Sequence, residues 1–86
     1  MTQIAIIGLS SFGYYLARRL SELGSEVLAA DHNRERIDKI KNFVSKAVIA
    51  DATDRKALER LELEEMDVVV ISLGENIESS ILAAFY

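Results

Sequence analysis

The chain of 86 residues has no cysteine, no proline and no tryptophan, and only four glycines. Without cysteine there can be no disulfide, no thiolate metal site and no cysteine nucleophile, which fits a reducing compartment. Without proline, and without a Gly/Ser-rich stretch, nothing marks a linker, and residues 1–86 read as one small domain. There is no apolar run near the roughly 18 residues a membrane span needs, and Met1-Thr2-Gln3 leads straight into a short strand rather than a signal peptide. Positive charge is in deficit: 10 Lys and Arg against 14 Asp and Glu leave a net charge of −4, which argues against nucleic acid or an anionic membrane surface as partner. Half of the residues are hydrophobic, so the chain should nevertheless be globular.

With glycine so scarce, its positions are informative. Four apolar residues, Ile4-Ala5-Ile6-Ile7, run into Gly8, and Gly13 follows as a helical pattern begins. A strand, a tight turn and a helix start in that order make the phosphate-binding corner of a Rossmann-type unit, where free backbone N–H groups and the positive end of a helix dipole meet an anion. The fingerprint is Gly-x-Gly-x-x-Gly, and here Ser10 holds the middle position. Its hydroxyl either donates to a phosphate oxygen or caps the helix and narrows the site.

The remainder alternates. Gln3 to Ile7 is the first strand, followed by a helix with Phe12, Leu16, Leu20 and Leu23 as its apolar stripe, capped by Ser10 or Ser11 and ended by Gly24. On that helix Tyr15 is expected to pack and Tyr14 to be partly exposed. Glu26 to Ala30 is the second strand. Asn33 caps a helix over Arg34 to Phe43, with Ile37, Ile40 and Val44 inward. Ala47 to Ala50 is the third strand, and Thr53 or Asp54 caps a third helix with Leu58 and Leu61 inward. Asp67 to Ser72 is the fourth strand, and Asn76 starts a last helix containing Ile77, Ile81 and Leu82. The fold class is therefore α/β: a Rossmann-like parallel sheet in the order 3-2-1-4, helices on both faces, cut off after the fourth βα unit. The uncapped end at Phe85-Tyr86 and the apolar open edge of strand 4 suggest an incomplete domain, or an edge covered by another chain.

Asp31 lies 23 residues after Gly8 at the end of strand 2, where a ribose-binding acid belongs. A carboxylate there accepts from the ribose hydroxyls and repels a 2′-phosphate, favouring NAD or an adenosine nucleotide over NADP, with Arg34 near enough to soften the preference. Asp51, closing strand 3, either accepts from the adenine amine or caps a helix. His32, the single histidine, either flanks the adenosine or is exposed. No catalytic triad, Tyr-x-x-x-Lys pattern or metal cluster is offered by the spacing, so no catalytic residue is assigned.

The segments Ile-Ile-Gly-Leu-x-x-Phe-Gly, Glu-Val-Leu-Ala-x-Asp-x-Asn, Ala-Val-Ile-Ala-Asp-Ala-Thr and Asp-Val-Val-Val-Ile-Ser-Leu-Gly-x-Asn-Ile together resemble the TrkA-N (RCK N-terminal) domain of Trk- and Ktr-type potassium uptake regulators. The resemblance implies regulation rather than turnover. It implies a cytoplasmic domain peripheral to the inner membrane, binding NAD(H) or ATP, ADP or AMP. It also implies a homo-oligomer, a dimer or ring of dimers, docked on a membrane potassium transporter subunit without inserting itself. By position, Gly8, Ser10, Ser11, Phe12 and Gly13 would form the phosphate loop. Asp31 and His32 would meet the ribose side, and Asp51 and Ala52 the adenine. Two departures stand out: the family usually has Gly at the Ser10 position and commonly Arg at the Ser11 position. The alternatives are the cofactor half of an NAD-dependent oxidoreductase, and an assembly module that binds no nucleotide.

Overall fold

In a computed structural model, residues 2–72 and the strand 81–85 are described. Strand β1 (Gln3–Ile7) leads into helix α1 (Ser11–Glu22), then β2 (Glu26–Asp31), α2 (Arg34–Ile40), β3 (Lys46–Ile49), α3 (Arg55–Glu59), one 3-10 turn (Leu63–Glu65), β4 (Val68–Ser72) and β5 (Ile81–Phe85). The sheet order is β3-β2-β1-β4-β5. The first four strands are parallel, with Ile7 beside Ala30 of β2 on one side and beside Ile71 of β4 on the other. This is the 3-2-1-4 order expected from the alternation of elements, and its reversal lies between β2 and β4, on either side of β1.

The sheet is covered on both faces. On one, Ile4, Ile6, Val27 and Ala29 pack with Ala17 of α1 and Ile37 and Ile40 of α2. On the other, Ala5, Ile7, Leu28 and Ala30 pack with Leu61, and Leu58, Leu63 and Met66 close over them. A strand that is apolar and buried from Ile4 to Ile7, such as β1, is what two covered faces require.

The connections follow local chemistry. Gly24 has φ +98, and the N–H groups of Gly24 and Ser25 donate to the carbonyls of Ser21 and Leu20, a Schellman stop at the place expected. Asn33 caps α2 by accepting from the Arg36 N–H, and Asp54 caps α3 by accepting from Lys56 and Ala57.

Several expectations are corrected. Ser10 is the N-cap of α1 by position, but its side chain makes no capping hydrogen bond. Tyr14 packs against the core and Tyr15 is 65% exposed, the reverse of the expectation. Leu23 leaves the apolar stripe because the chain is already unwinding there, and it is 65% exposed. Helix α2 stops at Ile40 instead of Phe43.

The largest correction is at the C-terminal end. Ile81 and Leu82 lie on a strand, not a helix. Strand β5 pairs antiparallel with β4, Val68 opposite Phe85 and Ser72 opposite Ile81. The outer edge of β4 presents a row of backbone donors and acceptors, and the short apolar run Ile81–Phe85 satisfies them as an edge strand. Two or three apolar residues at helical spacing do not distinguish a short helix from a strand. Asn76 and Ile77, expected at the start of that helix, lie outside the described residues.

Candidate functional site

At the carboxyl ends of β1, β2, β3 and β4 the surface opens into a cavity of about 420 Å³. Its walls come from three turns: Gly8 and Ser10 after β1, Asp31 and His32 after β2, and Ala50, Asp51, Ala52 and Thr53 after β3, with Ser72 ending β4 as the floor. The strand order alone brings these segments together.

Gly8 makes the first turn. Its φ of +100 is in the left-handed region, its N–H donates to the Ala30 carbonyl at 2.8 Å, and a Cβ there would lie 2.1 Å from the Ser72 carbonyl oxygen. Gly13 lies one turn into α1, directly over this loop, where a Cβ would stand 1.9 Å from the Gly8 carbonyl oxygen. Two glycines thus bring the helix N-terminus down onto the strand ends. Ser10, buried, faces Ser72 with their hydroxyl oxygens 3.3 Å apart.

Asp31 is the buried charge of the site, 4% exposed. Its Oδ2 accepts from the Leu9 N–H at 2.7 Å, and its Oδ1 from the Asn33 N–H at 2.7 Å. An Arg36 guanidinium nitrogen stands 3.4 Å from Oδ2, and His32 Nδ1 stands 3.4 Å from Oδ1. Burial by itself raises the pKa of the carboxyl. The two backbone N–H groups and the Arg36 charge outweigh it and hold Asp31 below its ordinary value. The carboxylate therefore ties the glycine turn to the end of β2 and remains charged at neutral pH. Two of its four lone-pair sites face the chain's own backbone donors, and a third faces the Arg36 guanidinium.

Asp51 is exposed and turned back on its own loop, accepting at Oδ1 from the Thr53 N–H at 2.8 Å and the Thr53 hydroxyl at 2.6 Å. The Thr53 hydroxyl, then its N–H, hold the Asp51 carboxyl below the usual range, with a smaller push from the His32 side. It does not cap α3; Asp54 does.

Of the nine residues singled out from sequence, Gly8, Ser10, Asp31, His32, Asp51 and Ala52 line the cavity. Ser11 opens instead onto a neighbouring groove between α1 and α2. Gly13 acts beneath the loop, and Phe12 is half-buried on α1. Five lining residues were missed: the apolar Ile7 and Ala50, and the polar Arg36, Thr53 and Ser72. Arg34, expected beside Asp31, is exposed, and Arg36 holds that place because the third residue after the Asn33 cap projects back towards the helix start. Ser72 was legible from the strand order, since it ends the strand next to Gly8.

Parallel strands in this order, a glycine turn under a helix N-terminus and a buried acid at the end of β2 define a Rossmann-type α/β fold with its cleft at the topological switch point. A family comparison narrows the class: the TrkA-N domain model matches residues 4–86, and the chain belongs to that family. It is 40% identical over 81 residues to the Ktr system potassium uptake protein A of Vibrio alginolyticus, covering 94% of this chain and 37% of that protein. It is 41% identical over 80 residues to the Ktr system potassium uptake protein C of Bacillus subtilis, covering 93% of this chain and 36% of that protein. The Trk system potassium uptake protein TrkA homolog of Pyrococcus abyssi is 37% identical over 81 residues, with 93% of this chain and 35% of that protein covered. The chain thus spans just over a third of the length of these relatives. A solved short chain dehydrogenase/reductase family protein superposes with a TM-score of 0.72 over 86% of this chain and 34% of its own, at 20% identity, and shares the fold.

Proposed function

We propose that this chain is the nucleotide-sensing domain of a potassium uptake regulator, binding NAD(H) or an adenine nucleotide in the cleft at the strand ends. The observation that carries the reading is the Asp31 carboxylate, buried and charged, fastened to the Leu9 N–H of the glycine turn at 2.7 Å. It sets ribose recognition and phosphate recognition on one rigid unit. The three relatives named above, all potassium uptake proteins, supply the biological setting. Gly8 and the first turn of α1 hold the phosphates, Asp31 the ribose, and Asp51 and Ala52 border the adenine.

In this reading the domain performs no reaction. Ligand exchange alters the geometry of the loops at the strand ends, and a cytoplasmic dimer, or ring of dimers, passes that change to a membrane-embedded transporter subunit. Among the described residues no helix is long and apolar enough to cross a membrane. The cleft's one histidine, His32, stands beside Asp31 with Nδ1 3.4 Å from Oδ1.

A second reading, a closed assembly module, draws on the contact between Ser10 and Ser72, which crosses the switch point where a pyrophosphate passes. The two readings separate by calorimetric titration with NADH, NAD, ATP, ADP and NADPH. Micromolar binding of at least one supports the sensor; silence from all five in a folded sample supports the module. Ser10→Gly is expected to tighten binding by about tenfold by removing a Cβ from the phosphate path, roughly 1.4 kcal/mol. Unchanged affinity in that variant would mean that Ser10 stands clear of the ligand.

A further inference from the structure

A second concavity of about 370 Å³ lies beside the cleft, between the first turn of α1 and the outer face of α2. Ser10 and Arg36 border both spaces, and Arg36 reaches from the groove to Asp31 in the cleft at 3.4 Å. The groove is lined by Leu9, Ser10, Ser11, Tyr14, Arg36 and Lys39, with no carboxylate among them. In a chain of net charge −4 that is a local reversal of sign.

Three sources of positive potential converge there. Helix α1 runs 12 residues with no acidic residue in its first turn, and the Ser10 side chain does not cap it. Arg36 makes a single long contact of 3.4 Å to Asp31, leaving most of its fork available. Lys39 is one turn further along the same face of α2, exposed, and forms no ion pair among the described residues. The acids of α2, Glu35 and Asp38, are exposed and take no part in the lining.

The geometry points to a phosphate subsite in this groove, which takes the 2′-phosphate of an adenosine ribose held at Asp31. This rests on the nucleotide reading above and deepens it. Asp31 alone would reject NADPH. Arg36 shields its charge, and Lys39 receives the extra phosphate. The domain therefore accepts both reduced dinucleotides, with NADPH within about tenfold of NADH rather than excluded.

The test is calorimetric titration of NADH and NADPH against the wild-type chain, Lys39→Ala and Lys39→Ala/Arg36→Ala, with circular dichroism to confirm that each is folded. Lys39→Ala is expected to weaken NADPH by about tenfold and leave NADH unchanged; the double variant weakens NADPH further. The proposal is overturned if wild-type chain binds NADH and not NADPH, or if Lys39→Ala moves both ligands equally or neither. ADP is titrated alongside: silence from ADP and from both dinucleotides would overturn the nucleotide reading as well, whereas ADP binding with neither dinucleotide bound would overturn the subsite alone, so the two failures are told apart.

Discussion

Gly13→Ala is expected to remove a large part of the chain's folding stability. The added Cβ would stand 1.9 Å from the Gly8 carbonyl oxygen, a backbone atom with no rotamer to escape into. Relief requires lifting α1 off the strand ends, which opens the core around Ala17, 0% exposed, and undoes the Gly8 turn. A loss of about 3–5 kcal/mol follows, a large part of the stability of a domain this small. Gly24→Ala is the control. Unlike Gly13 it has a left-handed φ of +98, but open space lies around it, so the substitution brings only conformational strain, about 1 kcal/mol. Urea denaturation of both variants checks the contrast; a Gly13→Ala chain as stable as Gly24→Ala would show that the helix does not sit so close to the turn.

Asp31→Ala carries the second large effect, on stability and binding together. It leaves the Leu9 N–H buried without its acceptor and frees the glycine turn from β2, at a cost of about 2–4 kcal/mol. Nucleotide affinity is expected to fall by about a hundredfold or more, roughly 2.7 kcal/mol. Asp31→Asn keeps the shape and isolates the charge. The folded chain holds this carboxyl below its ordinary value, so between the folded and unfolded pKa the folded state carries fewer protons and stability rises with pH. The stabilisation is complete above the unfolded carboxylate range, near pH 4, and is lost as pH falls through the lower folded value. The stability gap between wild type and Asp31→Asn should accordingly be constant from about pH 5 to 7 and shrink below about pH 4. A gap that widens on acidification would mean that burial, not the hydrogen bonds, governs the group.

The architecture was legible because its signals are local and repeated. The all-apolar Ile4–Ile7 run, the Asn33 and Asp54 caps and the Gly24 stop each follow from a few adjacent residues. Alternation then fixes parallel strands, and parallel strands fix where the turns meet. Asp31 was legible by the same route, from its place at the end of β2. The partners that define its chemistry were not. Which arginine reaches it depends on the turn of α2, and Arg36 prevails over Arg34 by helix direction. The exchange of Tyr14 and Tyr15 has a similar origin, since adjacent positions on a helix differ by about 100° and a small error in phase swaps inside for outside. The strand at Ile81–Phe85 escaped because its cause is a distant one: the unpaired edge of β4, which spacing within the segment does not reveal.

The central claim is that an adenine nucleotide lies across the turns after β1, β2 and β3. An amide-resolved NMR titration of the isotopically labelled chain with ADP addresses it most directly. The expected result is movement of the backbone signals of Gly8, Leu9 and Ser10, of residues 31–33 and of residues 51–53, with residues 62–66 at the opposite end of the sheet unmoved. A spectrum unchanged at millimolar ADP, or changes gathered at that opposite end, would contradict it.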